Sequence, residues 1–133
     1  MGAPSTDKVR NVVLLGHGDA GKTSLAEAML FMAGQTNRLG SVVDGHSNLD
    51  YEAEEVKRKI TLNLALAPVV HNGVKINIID TPGYADFIGD AVAGIEAAEM
   101  ALFVVDAVAG PQVQTRKLWK LATDMGIAKA VFI

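Results

Sequence analysis

The chain has 133 residues, a length that suits one compact domain. Half of it is apolar and the net charge is -3, so a core can form and no global basic field drives nucleic-acid binding. There is no cysteine, which removes disulfides, thiolate zinc sites and cysteine nucleophiles and fits a reducing cytosol.

In chain order, residues 1–8 read as a polar, flexible tail. The start lacks the apolar stretch of a signal peptide, and its match to an N-myristoylation pattern at Gly2 rests on few specified positions and reads as chance. Val9 to Leu15 reads as a buried strand, and Thr23 to Ala33 as a helix that Gly34 stops. Residues 35–59 are polar and charged with weak periodicity, and a connection that long is functional or mobile. Within it, the charges of Glu52 to Lys59 read as a solvated face.

Leu62 to Val70 and Val74 to Ile79 read as strands joined at Asn72-Gly73, a hairpin signal because both turn residues need positive φ. Ala85 to Ala98 reads as mostly helical and Met100 to Val105 as a strand. A further helix starts at Gly110-Pro111 and ends near Met125, before Gly126, and Ala128 to Ile133 opens another strand. No apolar run reaches the ~20 residues of a membrane span, so no membrane partner is expected. The predicted fold class is α/β: a mostly parallel sheet with one antiparallel hairpin and helices on both faces.

The strongest chemical signal is Gly16-His17-Gly18-Asp19-Ala20-Gly21-Lys22-Thr23, which satisfies G-x-x-x-x-G-K-S/T between a strand and a helix. Glycines at these spacings let the loop wrap a phosphate with its N–H groups inward. Lys22 neutralises outer phosphate charge, and the Thr23 hydroxyl can ligate Mg²⁺. The helix opening at Thr23 and Ser24 points its positive end at the phosphates.

Asp80-Thr81-Pro82-Gly83 follows a predicted strand directly. Alone it is an ordinary turn. At the C-terminal edge of a parallel sheet it lies where open α/β folds bind ligands. Asp80 can hold Mg²⁺ directly or through water, and the Gly83 N–H can meet a terminal phosphate.

The two motifs together resemble the first and third signature motifs of GTPases. Gly-His-x-Asp-x-Gly-Lys-Thr with Asp-Thr-Pro-Gly-x-x-Asp-Phe, here Asp80 to Phe87, is similar to translational GTPases, elongation factor G above all. The resemblance runs from about Val9 to Ile133 and implies a P-loop G domain, a GTP/GDP and Mg²⁺ requirement, the ribosome as partner and a cytoplasmic location. It also implies that Thr61, in Arg58-Lys59-Ile60-Thr61, completes Mg²⁺ coordination when GTP is bound, in a loop that orders around GTP. Read without the resemblance, Thr61 is a β-branched residue opening a strand. Asp19 matches a residue that helps bind a monovalent cation, or is a loop turn residue.

Three positions depart from that pattern. Tyr84 stands where the family has the histidine that positions the attacking water, and a phenol of pKa ~10 supplies no imidazolium charge. Altered, slower hydrolysis is expected, with Tyr84 near the attacking water; some elongation-factor-G-like paralogues also look like this, so the resemblance at Tyr84 points to that branch. Gly18 replaces a branched apolar residue that, with the counterpart of Ile60, forms a gate, so water is expected to be less restricted. Lys59 replaces a glycine, which is expected to stiffen the switch.

The base-reading motif Asn-Lys-x-Asp would follow Ile133, so the sequence reads as a G domain incomplete at its C-terminus. An exposed sheet edge there would favour self-association. Three functions remain open: a translocation-type factor, a ribosomal-protection or release-factor-type GTPase, and a nucleotide-binding switch or assembly module with little hydrolysis. An ATP-using P-loop protein is a more distant fourth. Leu25, Met29, Phe31, Met32, Leu118 and Trp119 read as core contacts, His17 as a packing or hydrogen-bonding residue, and His46 and His71 as loop residues without metal-ligand spacing.

Overall fold

A computed structural model describes residues 4–133. Residues 1–3, with the Gly2 pattern and the front of the expected tail, lie outside them; Thr6–Lys8 forms one 3₁₀ turn with no buried residue. The strands are β1 (Val9–Leu15), β2 (Ala65–His71), β3 (Val74–Asp80), β4 (Met100–Val104) and β5 (Ala128–Phe132). The helices are α1 (Lys22–Met32), α2 (Ala53–Arg58), α3 (Ile88–Ala97) and α4 (Val113–Asp124).

The five strands form one sheet in the order β2-β3-β1-β4-β5. β1 pairs parallel with β3 and β4, and β4 with β5, while β2 runs antiparallel to β3. The hairpin is the predicted one: Asn72 and Gly73 both take positive φ, 49° and 77°. β2 is an edge strand, which is why it tolerates Pro68, whose missing N–H leaves no ladder bond unmade in an interior strand.

Alternation along β1 splits the core. Val13 and Leu15 pack with Phe103, Ile95 and Leu118 on the face covered by α3 and α4. Leu14 packs with Ile78, Ala26 and Leu30 on the face covered by α1. Helices therefore lie on both faces, as the sequence implies.

Several boundaries move for identifiable reasons. β2 begins at Ala65 rather than Leu62, because the Leu62 and Asn63 amides donate to the Glu55 carboxylate, at 2.9 and 3.0 Å, instead of to a strand. The helix expected from Ala85 starts as a 3₁₀ turn, Ala85–Phe87, before α3. The helix expected from Gly110 starts at Val113, after a turn in which Asp106 accepts from the Val108 and Ala109 amides. That pair of bonds holds the Asp106 carboxyl below its ordinary pKa.

The polar segment is more structured than its composition suggests. It contains α2, closed by a capping box in which Glu52 and Glu55 each bond the other's backbone. Glu55 is 1% exposed, so it is not one of the solvated charges expected there. The helical apolar face also needs correction. Met29 packs against the core, but Phe31 is exposed and Met32 is 83% exposed, because α1 turns those positions away from the sheet. Leu118 is buried, and Trp119 sits at the rim with its ring 4.9 Å from that of Phe103. His71 closes β2 rather than lying in a loop.

Candidate functional site

β1 and β3 are neighbours at the centre of the sheet, and Leu14 is in register with Asp80. The loops that leave their C-terminal ends therefore emerge side by side. The Thr81 hydroxyl donates to the Leu14 carbonyl at 2.6 Å and ties the two strand ends together. Thr81 and Pro82 are buried, so the side-chain hydroxyl of Thr81 is committed to this joint.

The phosphate loop folds as its glycines permit. Gly16 lies against β4, where a Cβ would run into the Val104 carbonyl oxygen. Asp19 and Gly21 take positive φ, 63° and 94°, and Gly21 caps α1. Lys22 is buried at the first position of α1, and its ammonium donates to the His17 carbonyl at 2.8 Å. Burial lowers its pKa, opposed by Asp80 and Asp19. Gly83 crosses directly over this loop: a Cβ there would meet Lys22 Nζ and the Gly18 nitrogen. Gly18, Asp19, Gly21, Lys22, Thr23, Ser24, Ile60, Thr61, Gly83 and Tyr84 line a cleft of about 220 Å³ beside the loop. His17 and Ala20 close the loop from below through an Ala20 N–H to His17 carbonyl bond.

Beneath the cleft runs a chain of four oxygens. The Thr23 hydroxyl donates to Asp80 Oδ2 at 2.6 Å, and the Thr61 hydroxyl donates to Asp50 Oδ1 at 2.8 Å. The two hydroxyls lie 2.8 Å from each other. Three contacts thus share two hydroxyl protons. The far oxygens, Asp80 Oδ1 and Asp50 Oδ2, are buried with no partner. Burial raises both carboxyl pKa values, that of Asp80 to about 6. An oxygen-rich, proton-deficient cluster with unsatisfied lone pairs suits a hard divalent cation. Among the described residues, no set of three or more acidic, His or Cys side chains forms a metal cluster, so hydroxyls and phosphate oxygens would have to complete the shell.

Thr23, Thr61 and Asp80 are thus brought together as the resemblance implies. Asp50 was not among the expected residues. Only its position, 11 residues before Thr61 in a polar loop, hinted at it. Two buried carboxylates hold that loop in place. Glu27 on α1, fully buried, accepts from the Ser47 hydroxyl and the amides of Asn48 and Leu49, and Glu55 accepts from Glu52, Leu62 and Asn63.

Tyr84 is turned onto the phosphate loop. Its hydroxyl donates to Asp19 Oδ2 at 3.2 Å, and its ring covers Gly18. Burial and the neighbouring Asp19 raise the phenol pKa. The tyrosine ring lies where a side chain on Gly18 would begin. Lys59 takes the left-handed conformation, φ 57°, at the C-terminal end of α2.

A glycine-lined phosphate loop after the central strand, with an acid after its neighbour and a threonine from a distant segment, defines a P-loop nucleotide-binding domain. Residues 7–133 match the family described as the elongation factor Tu GTP binding domain, and the chain belongs to that family. It is 43% identical over 125 residues to an elongation factor G-like protein of Mycobacterium tuberculosis, covering 94% of this chain and 18% of that protein. It is 42% identical over 127 residues to the mitochondrial ribosome-releasing factor 2 of Debaryomyces hansenii, covering 96% of this chain and 15% of that protein. A crystal structure from Thermus thermophilus superposes with a TM-score of 0.90 at 38% identity, covering 93% of this chain and 19% of that one. A bacterial selenocysteine-specific elongation factor superposes at 0.76 with 28% identity, covering 93% and 19%. The chain thus spans less than a fifth of the length of these relatives, and the elongation-factor-G-like resemblance is borne out over that part. No helix among the described residues is long and apolar enough to cross a membrane.

Proposed function

We propose that this chain is the phosphate- and Mg²⁺-binding part of a ribosome-associated, cytoplasmic translational GTPase of the elongation factor G type. The observation that carries the proposal is the convergence of Thr23, Thr61 and Asp80 beside Lys22, under a loop built to wrap phosphate. Lys22 and the amides of residues 16–24 hold the phosphates. Thr23 and Thr61 would hold the metal through their hydroxyl oxygens, with Asp80 supporting them. Mg²⁺ held there would supply positive charge against the negative charge that develops on the phosphates. The Gly83 amide senses the terminal phosphate, and Tyr84 stands beside the attacking water without providing a proton shuttle. A monovalent cation at Asp19 would compete with the Tyr84 hydroxyl for Oδ2.

In the full-length protein, Lys22→Ala should weaken GTP binding by about 100-fold or more, the loss of a charge-assisted contact in a buried site. Unchanged affinity would end the proposal. Single-turnover hydrolysis, with and without ribosomes, separates enzyme from switch. Ribosome-stimulated turnover that rises in Tyr84→His marks a GTPase slowed by its tyrosine. Turnover absent from the native protein in both conditions marks a switch or assembly module. The likeness to ribosome-releasing factors favours a second reading, a factor acting in ribosome release. Ribosome-splitting against translocation assays decide between the two.

A further inference from the structure

The phosphate cleft has a neighbour. A larger cleft, lined by Asp106, Gln112 and Arg116 among others, shares residues 18, 19, 83 and 84 with it. Of these four shared residues, Tyr84 carries the largest side chain. The φ of Gly18 does not lie in the left-handed region, so nothing in the backbone there demands glycine. What a side chain there would meet is the tyrosine: a Cβ on Gly18 would come within 2.8 Å of Tyr84 Cζ, and its three nearest atoms all belong to that ring, so the ring would have to shift. The hydroxyl end is tethered to Asp19 in the same loop.

We propose that Gly18 and Tyr84 act as one positioning pair, with the ring seated on residue 18 closing the phosphate cleft against the second cleft and holding Gly83 over the phosphate loop. The ring at 84 and the absent side chain at 18 then form one packing unit. Gly83, one residue earlier, lies against Gly18 and Lys22, so displacing the ring displaces the segment that carries the Gly83 amide. Its role in hydrolysis rests on the GTPase reading above; the packing relation does not.

The test is a mutant cycle in the full-length protein. Without nucleotide, Gly18→Ala should lower the thermal midpoint by about 3 °C or more in the native background, and by less than about 1 °C when combined with Tyr84→Ala, because the clashing ring is gone. Tyr84→Phe keeps the ring and should keep the full Gly18→Ala penalty. Equal penalties in the native and Tyr84→Ala backgrounds, or loss of the penalty with Tyr84→Phe, would overturn the pair. In single-turnover hydrolysis, Gly18→Ala should cut the rate about 10-fold while GTP affinity falls much less, a split that general destabilisation does not produce. A rate loss no larger than the affinity loss would refute the positioning role. Thermal coupling is read without GTP, so its failure is distinct from failure of the GTPase reading.

Discussion

The hydroxyls of Thr23 and Thr61 meet at 2.8 Å across 38 residues of sequence, each with its proton directed at a different buried carboxylate. The first lies on α1 and the second at the end of the long polar segment. Their meeting couples the position of that segment to the phosphate loop. Any ligand that draws on both oxygens orders the segment, which is the physical basis of an order–disorder switch.

Asp80 makes the pH dependence of this cluster measurable. Its carboxyl is raised to about 6 from an ordinary 3.8, so the folded state binds its proton more tightly than the unfolded chain. The stability this contributes is complete below about pH 4 and is lost as pH rises through 6, a swing on the order of 3 kcal/mol. In EDTA and without nucleotide, Asp80→Asn should therefore be more stable than the native protein at pH 7.5 and not at pH 4. Calorimetry at the two pH values tests this. With Mg²⁺ and GTP the order should reverse, because the asparagine offers the cation no charge.

Glu27 should control the loop rather than the nucleotide. It is fully buried, and its carboxylate accepts from Ser47, Asn48 and Leu49. Glu27→Ala strands those donors and should cost about 2–4 kcal/mol. Hydrogen exchange should rise at residues 47–50 well before it rises in β1. Uniform protection across both would count against the anchor.

Lys59 should carry local strain. A non-glycine residue at φ 57° costs roughly 1 kcal/mol, offset in part by the lower chain entropy that glycine would forfeit. Lys59→Gly should leave stability within about 1 kcal/mol of native but raise proteolytic cleavage between residues 51 and 61. Unaltered cleavage would show that the lysine does not stiffen the segment.

The outer edge of β5 should mediate self-association of the 133-residue chain. Val131, Phe132 and Ile133 are all exposed there, beside a groove that includes Phe103, Pro111 and Trp119. A charge on an edge strand opposes edge-to-edge pairing. Sedimentation should show association that Val131→Lys reduces, whereas a monomer at all concentrations would contradict it.

Residue spacing is enough to locate the loop of residues 16–23, the Asp80–Gly83 turn and the Asn72-Gly73 hairpin, because in each the local backbone path requires particular residues at fixed positions. Apolar runs likewise located β1 and β4 and implied helices on both faces. Only three-dimensional packing makes Glu27 and Glu55 buried pins while Glu54 and Lys57 beside Glu55 stay exposed, turns Met32 outward, and brings Asp50 to the threonines. It alone showed that the Tyr84 ring occupies the space above Gly18. A carboxylate in a polar stretch looks the same in sequence whether water or backbone amides satisfy it. Only the packing of distant segments settles which, since that choice depends on contacts across tens of residues and not on the spacing of near neighbours.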